Sequence, residues 1–267
     1  MYKNKKVNWL YIEYHSKFQE LKTVQQNDKW HKEGDVYTHT CLVVQEMLDK
    51  FIMNNSSVTD LELFHNEDVQ CKLVNAALLH DVGKKVVSFC GEDGKWHAPN
   101  HEEESVKVMN EYITLEKDME KAVGTLIASH MKILKVESKE QLLEIVNSLY
   151  KSNLEELLIL KECDILGAYY DPEMQLADLN KLKDIRTLFY QEIAFPVGTM
   201  VNIECVGEYT KKGFRKADPN KYTGIIQNII AIGETLKLDT FSTPEPVTKI
   251  INKNAFRIGK KLYKIYE

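Results

Sequence analysis

The most constraining feature of this sequence is an apolar segment that ends in two ionisable residues. Residues 69–80 are apolar on most of a helical circumference, which predicts a deeply buried helix ending at His80-Asp81-Val82-Gly83-Lys84. Burying an imidazole and a carboxylate there costs free energy unless their charge is compensated. A divalent cation would compensate both groups. In the simpler alternative, Asp81 caps the helix and His80 forms a hydrogen bond in the core.

Neighbouring residues of a helix point about 100° apart, so their side chains converge only where the helix ends. Gly83 predicts that the backbone turns away directly after His80 and Asp81. The segment therefore predicts a polar corner at the end of a core helix.

The first part of the chain has the 3.6-residue apolar repeat of helices. Asn100 followed by Glu103 predicts a capping box at the start of one of them. Helices are predicted over residues 38–52, 69–80, 100–112, 116–130, 138–149, 153–169 and 173–192.

The sequence pattern changes near Phe195-Pro196, after which apolar segments become short, β-branched and separated by Gly, Pro and Asn. We therefore expect a mainly α protein, with a helical domain at residues 1–194 and a small β-rich, barrel-like domain at residues 195–267. Strands are predicted over residues 201–206, 225–232, 235–239, 247–251 and 256–266.

Charge differs between the two parts. Residues 195–267 carry 12 Lys and Arg against 7 Asp and Glu, whereas residues 1–194 have a net charge of −10 and the whole chain −5. The overall charge argues against a protein that coats nucleic acid or anionic membrane. The basic residues of the second part either form a solvated face or hold RNA or a nucleotide tail; they include Lys211, Lys212, Arg215, Lys216, Lys260, Lys261 and Lys264.

The five cysteines are scattered and form no C-x-x-C pair, which favours a reducing, cytoplasmic location without a structural zinc site. No segment approaches the roughly 18 apolar residues that span a bilayer, and Glu13 interrupts the N-terminus before a signal peptide could form. We expect no membrane association, and no obligate protein partner is evident.

Other ionisable residues stand at the ends or on the apolar faces of the predicted helices: His39, His101, His130 and Asp164. Each alone fits an ordinary role, such as a core histidine or an ion pair between Asp164 and Lys161. Their number within one helical domain favours a shared site.

The order His39, His80-Asp81, Asp164 resembles the H…HD…D signature of the HD-domain metal-dependent phosphohydrolases. The segments WHKEGDVYTHT, ALLHDVGKK, NHEEES and KECDILGA, within roughly residues 28–170, are similar to the HD region of bacterial tRNA nucleotidyltransferases and of related stand-alone HD proteins. Nothing matches the nucleotidyltransferase catalytic head. The resemblance implies an HD-type helical bundle and leaves the residues after Phe195 uncovered.

The resemblance also implies that His39, His80, Asp81 and Asp164 hold one divalent metal ion. Two imidazoles and two carboxylates suit Mn²⁺, Ni²⁺, Fe²⁺, Co²⁺ or Zn²⁺, and Mg²⁺ also falls within the range.

Further roles follow from matching positions in relatives. His101 and His130 match positions that bind substrate phosphate or a second metal. We expect phosphate binding or acid catalysis, because no surplus carboxylate is evident to bridge two ions. Lys84 stands where relatives place a cation near the phosphate, and Asp81 is suited to orient the attacking water as well as to bind metal.

The resulting expectation is a metal-dependent phosphatase or phosphodiesterase that acts on a nucleotide or on a phosphorylated or cyclic-phosphate RNA end, by attack of a metal-activated water on phosphorus. Asp81, Lys84, His101 and His130 are expected to act in catalysis. One alternative is a nucleotide- or RNA-binding module that keeps the metal site without turnover. Another is a structural helical protein with a fortuitous placement of His and Asp.

Overall fold

A computed structural model describes residues 2–3, 6–53, 66–190, 200–210, 213–225, 249–252, 255–258 and 261–266. The chain divides into two compact units, Met1–Ile185 and Arg186–Glu267. The boundary at Phe195-Pro196 falls outside the described residues and stays a prediction.

The first unit is built from helices, which confirms the prediction of a mainly helical fold. Each of the seven helices expected from the sequence is present within a few residues of its predicted bounds. The helices are α1 (Trp9–Tyr14), α2 (Ser16–Glu20), α3 (Val36–Met53), α4 (Glu67–Leu79), α5 (Lys84–Val87), α6 (His101–Val108), α7 (Lys117–Ser129), α8 (Lys139–Ser148), α9 (Leu154–Gly167) and α10 (Pro172–Tyr190), of which α10 crosses the boundary after Ile185.

Short 3-10 turns and two small strand pairs complete this unit. The 3-10 turns are Leu21–Thr23, Met109–Glu111 and Ile133–Lys135. The antiparallel pairs are β1 (Tyr2–Lys3) with β2 (Lys6–Val7), and β3 (Phe89–Cys90) with β4 (Trp96–His97).

Helix α4 lies in the core of the unit. Residues 73–79 are at most 2% exposed, and helices α3, α7 and α9 pack against α4. Helix α9 also packs closely on α3. The approach is close enough that a Cβ atom added at Gly167 would stand 2.8 Å from the backbone nitrogen of Val43. This close approach brings the C-terminal half of α9 next to the first turns of α3.

The capping box predicted at Asn100 and Glu103 is not formed. Asn100 precedes α6, but its φ of 54° and ψ of 28° are left-handed and its side chain makes no cap hydrogen bond. A capping side chain needs extended backbone at the cap position. The backbone oxygen of Asn100 instead accepts from the amides of Glu103 and Glu104, both at 3.2 Å.

Asn153, by contrast, caps α9 with its side chain, and we expect Asn153→Ala to lower the free energy of unfolding by about 1 kcal/mol. Its Oδ1 accepts from the amide of Glu156 at 3.1 Å, a bond that alanine cannot replace. Urea unfolding measures the change. Asn147→Ala, at an exposed position inside α8, is the control and should not destabilise the protein.

The described part of the second unit is an antiparallel sheet. Its strands are β5 (Met200–Thr210), β6 (Gly213–Ile225), β7 (Lys249–Asn252), β8 (Ala255–Ile258) and β9 (Lys261–Tyr266). Their order is β6-β5-β9-β8-β7, with Ile203 facing Tyr222 on one side and Ile265 on the other. Among these strands the sheet is open, with β6 and β7 at its edges, so the predicted barrel-like closure is not supported.

Strand β6 was not predicted from the sequence, and it contains Asp218-Pro219-Asn220, a segment typical of a turn. In the structure Cys205 pairs with Asn220 and Gly207 with Lys216, so residues 217–219 fall within a shift of register. A proline is tolerated there because it need not donate a ladder hydrogen bond. The strand predicted over 225–232, except for Ile225, and the strand predicted over 235–239 lie outside the described residues, as do Lys211, Lys212 and Lys260.

Candidate metal centre

The residues singled out in the sequence converge on one place in the first unit, near the ends of several helices. All are buried, with at most 8% of the residue exposed. They are His39 in the first turn of α3, His80 and Asp81 directly after α4, Lys84 at the start of α5, His101 at the start of α6, His130 directly after α7, and Asp164 within α9.

The two carboxylates expected to bind metal, Asp81 and Asp164, each lie close to both His39 and His80. Nε2 of His39 lies 3.0 Å from Oδ1 of Asp164 and 3.4 Å from Nε2 of His80. Oδ2 of Asp81 lies 3.3 Å from Nε2 of His80 and 3.6 Å from Nε2 of His39. Oδ1 of Asp164 is 3.6 Å from Nε2 of His80.

These spacings are those of ligands around a divalent ion. Nitrogen and oxygen donors lie about 2.0–2.2 Å from a bound transition metal, so neighbouring donors are about 3.0–3.5 Å apart. The His39, His80 and Asp164 side chains form a buried group that could hold an ion, and Asp81 adjoins it. The donor set and its spacing fit the metal that the sequence predicts.

The orientation of three imidazoles leaves one ring nitrogen of each free for a ligand. In His80, His101 and His130 the Nδ1–H donates to the backbone carbonyl oxygen three residues earlier, at 2.7–2.9 Å. Such a bond fixes the tautomer, so that Nε2 of the neutral ring carries a lone pair. Each of these Nε2 atoms lies near Asp81.

Each carboxylate of the centre also touches a buried lysine. Nζ of Lys84 lies 2.7 Å from Oδ2 of Asp81 and donates to Oε1 of Gln26, also at 2.7 Å. Nζ of Lys161 lies 2.6 Å from Oδ2 of Asp164. The ion pair that the sequence suggested for Asp164 is present, and it coexists with the contacts to the histidines.

His101 and His130 share the other oxygen of Asp81. Its Oδ1 lies 3.1 Å from Nε2 of His101 and 4.0 Å from Nε2 of His130, and the three side chains form a second buried group that could hold an ion. Asp81, itself one of the four expected ligands, turns one oxygen toward each group, so a carboxylate between two potential ion sites is present without a surplus one.

The two carboxylates remain ionised in spite of their burial. Burial alone would raise the pKa of Asp81, but His80 and Lys84 hold it well below its usual range. Lys161 and His39 likewise hold the pKa of Asp164 well below its usual range against the effect of burial. Both groups therefore offer the charged form that binds a cation.

The pKa values of His80 and His130 are shifted in opposite directions. Burial lowers the pKa of His80, but Asp81 and Asp164 outweigh it and raise the value to about 10. Burial, reinforced by Lys161 and His80, lowers the pKa of His130 well below 6.5. In the metal-free protein His80 is therefore charged and must lose a proton to bind metal, whereas His130 is neutral. A neutral His130 suits a ligand or acceptor better than the acid expected from the sequence.

A pocket of about 450 Å³ opens over the centre. Asp81, Lys84, His101, His130, Lys161 and Asp164 all line it. The aromatic side chains of Trp30, Trp96 and Tyr170 lie in its wall, with the ring centroids of Trp30 and Tyr170 5.6 Å apart. The pocket thus combines a charged floor with a partly aromatic wall.

Sequence reasoning missed several side chains of the site. Glu33 contacts the histidines His31 and His39, Lys161 lines the pocket, and Gln26 orients Lys84. Of these side chains only Lys161 had a signal in the sequence. Its spacing three residues before Asp164 indicated an ion pair but not a place in the pocket. His31 also lies in the pocket wall.

Comparison with known proteins adds one finding. A family model described as HD domain matches residues 36–169, half of the chain and the whole of the predicted ligand set. A comparison with curated proteins gives no match. Within the part of the chain that the structure describes, no helix has the length and apolar character needed to cross a membrane.

Proposed function

Because the chain belongs to the HD domain family of metal-dependent phosphohydrolases, we propose that it hydrolyses a phosphate ester of a nucleotide or of a phosphorylated or cyclic-phosphate RNA end. One observation carries the proposal: two adjoining groups of potential metal ligands, His39, His80 and Asp164 and then Asp81, His101 and His130, lie at a pocket that both carboxylates and two lysines line. This combination supplies cation ligands and phosphate-binding charge in one place.

His39, His80, Asp81 and Asp164 would hold the metal ion, for which we propose Mn²⁺, Ni²⁺, Fe²⁺, Co²⁺, Zn²⁺ or Mg²⁺. When bound, a divalent cation polarises a phosphoryl oxygen and makes a water molecule more acidic. The resemblance to the HD region of bacterial tRNA nucleotidyltransferases supports an RNA or nucleotide substrate.

The protein's own side chains would place the reactants. Oδ1 of Asp81 makes no lysine contact and can accept a hydrogen bond from the attacking water and so orient it. Nζ of Lys84 and Nζ of Lys161 would offset the negative charge on the phosphoryl oxygens. When its ring is protonated, His101, 9% of whose side chain is exposed, could donate a hydrogen bond or a proton from Nε2 to the leaving oxygen.

The pocket wall supports a leaving group that contains a nucleobase. Trp30 is 37% exposed and lines the pocket together with Trp96 and Tyr170. Stacking of a base on an aromatic side chain contributes about 1–3 kcal/mol and tolerates different bases. A pocket of about 450 Å³ is large enough for a drug-sized ligand and therefore for one nucleotide.

The test is a panel of nucleotides and of oligonucleotides with 3′-phosphate or 2′,3′-cyclic phosphate ends, each incubated with the proposed metals. We expect at least one ester to be cleaved with a metal present and the cleavage to stop when a chelator is added. Tight nucleotide binding without product over hours would favour the binding module instead. Absence of both binding and product with every metal would contradict the proposal.

A further inference from the structure

Glu33 is a buried carboxylate beside the centre that none of the proposed chemistry uses. Its side chain is 1% exposed, and its Oε1 lies 2.8 Å from Nδ1 of His31 and 3.0 Å from Nδ1 of His39. Glu33 therefore places a buried carboxylate directly behind one of the metal-binding histidines.

His39 differs from the other histidines of the centre in this respect. Nδ1 of His80, His101 and His130 faces a backbone carbonyl oxygen, whereas Nδ1 of His39 faces a carboxylate. A carboxylate behind a ligating imidazole fixes its orientation and tautomer and makes the opposite nitrogen a stronger donor. Oε1 of Glu33 lies 3.0 Å from Nδ1 of His39 without a well-directed hydrogen bond, so a small rotation of either side chain would complete this kind of partnership.

Glu33 also connects His39 to the end of the helix that carries Asp164. Oε2 of Glu33 accepts from the amide of Tyr169 at 2.8 Å, and the amide of Lys32 donates to the carbonyl oxygen of Tyr169 at 2.8 Å. Tyr169 follows α9 closely. One side chain therefore touches both a ligand on α3 and the chain segment just beyond the ligand on α9.

We propose that Glu33 is a positioning residue. It holds the imidazole of His39 toward the metal and keeps Nε2 of His39 beside the carboxylate of Asp164. The inference rests on the proposed metal centre and adds a residue outside the matched family region of 36–169. In the competing interpretation Glu33 only fastens its loop to Tyr169. The two interpretations differ in what the carboxylate charge does.

Glu33→Gln separates the two interpretations, because the amide keeps an oxygen that can accept from Tyr169 but loses the charge that faces His39. We expect Glu33→Gln to weaken binding of Zn²⁺ or Ni²⁺ about 10–100-fold, with little change in the melting temperature of the metal-free protein. Competition against a chromophoric chelator, without substrate, measures the affinity. Glu111→Gln, an exposed carboxylate paired with Lys17, is the matched control and should bind metal as the wild type does.

Glu33→Asp provides a second variant should Glu33→Gln not fold. It keeps the charge but shortens the reach to His39 by one methylene, so it too should weaken metal binding. Unchanged affinity in a folded variant would overturn the positioning role, even if the enzyme is active. Weakened affinity would support it even if no substrate is found, and a wild type that binds no metal would overturn the centre as well.

Discussion

Replacing Asp81 with asparagine is expected to lower phosphate ester hydrolysis at least ~10³-fold. The two side chains have the same shape, so the change removes charge and basicity with little change in volume. Asp81 is the carboxylate with the most roles in the centre, because Oδ2 faces His80 and Lys84 while Oδ1 faces His101. Asparagine would weaken metal binding and remove the group that orients the water.

The measurement is the rate of product formation at saturating metal, on whichever ester of the panel is cleaved. Because Lys84 and His80 lose a buried partner, the variant could lose about 3–5 kcal/mol of stability, so circular dichroism must show that it is folded. Asp164→Asn serves as the second variant. Asp118→Asn is the control, since that carboxylate is exposed and pairs with Lys151, and its rate should match the wild type. Full activity in folded Asp81→Asn would remove Asp81 from the mechanism.

The helices of the first unit could be predicted because their apolar repeat reflects burial in one core. Residues 69–80 and 153–169 are the clearest cases, and helices α4 and α9 lie within one or two residues of those bounds. The short helices α1 and α2 were not predicted. Helix α1 is rich in Trp, Tyr and Ile, which have lower helix propensity than the long unbranched residues, and only Ile12 is buried.

The residues of the candidate centre that lie at helix ends could be predicted from the sequence. His80 and Asp81 carry their own signal, since two ionisable groups directly after a core helix require compensation. Glu33 carries none, because its role depends on His39 and on a backbone amide 136 residues away. Such contacts are set by how α3 and α9 pack, and no local spacing encodes them.

The role assigned to Gly83 from the sequence was also incomplete. A glycine after the His-Asp pair predicted a turn that needs conformational freedom, but Gly83 has a φ of −65° and a ψ of −21°, which any residue adopts. Glycine is instead required at position 83 because two chain segments approach each other closely there. A Cβ atom at Gly83 would meet the backbone nitrogen of Ser105 and the backbone oxygen of His101, and would stand 2.8 Å from the carbonyl carbon of Glu104.

Gly83→Ala is therefore expected to destabilise the first unit by at least about 3 kcal/mol and to lower its melting temperature by about 6–12 °C. The contacts are with backbone atoms of α6, so no rotamer change can relieve them, and the helix itself must move. Its present position is fixed by Ser105, whose hydroxyl donates to the carbonyl oxygen of His80 and accepts from the amide of Gly83, both at 2.8 Å. Urea unfolding of the metal-free protein measures the loss.

Gly124→Ala is the matched control for this prediction. A Cβ atom there would stand 3.5 Å from Cγ1 of Val106 and 3.6 Å from Cε of Met109, which are ordinary contacts with side chains. Because alanine favours a helix interior by up to about 1 kcal/mol over glycine, Gly124→Ala should be neutral or stabilising. Equal stability of the two variants would mean that α6 can shift away from α4 at little cost. His101 begins α6 and His80 follows α4, so such freedom would contradict a rigid arrangement of the centre.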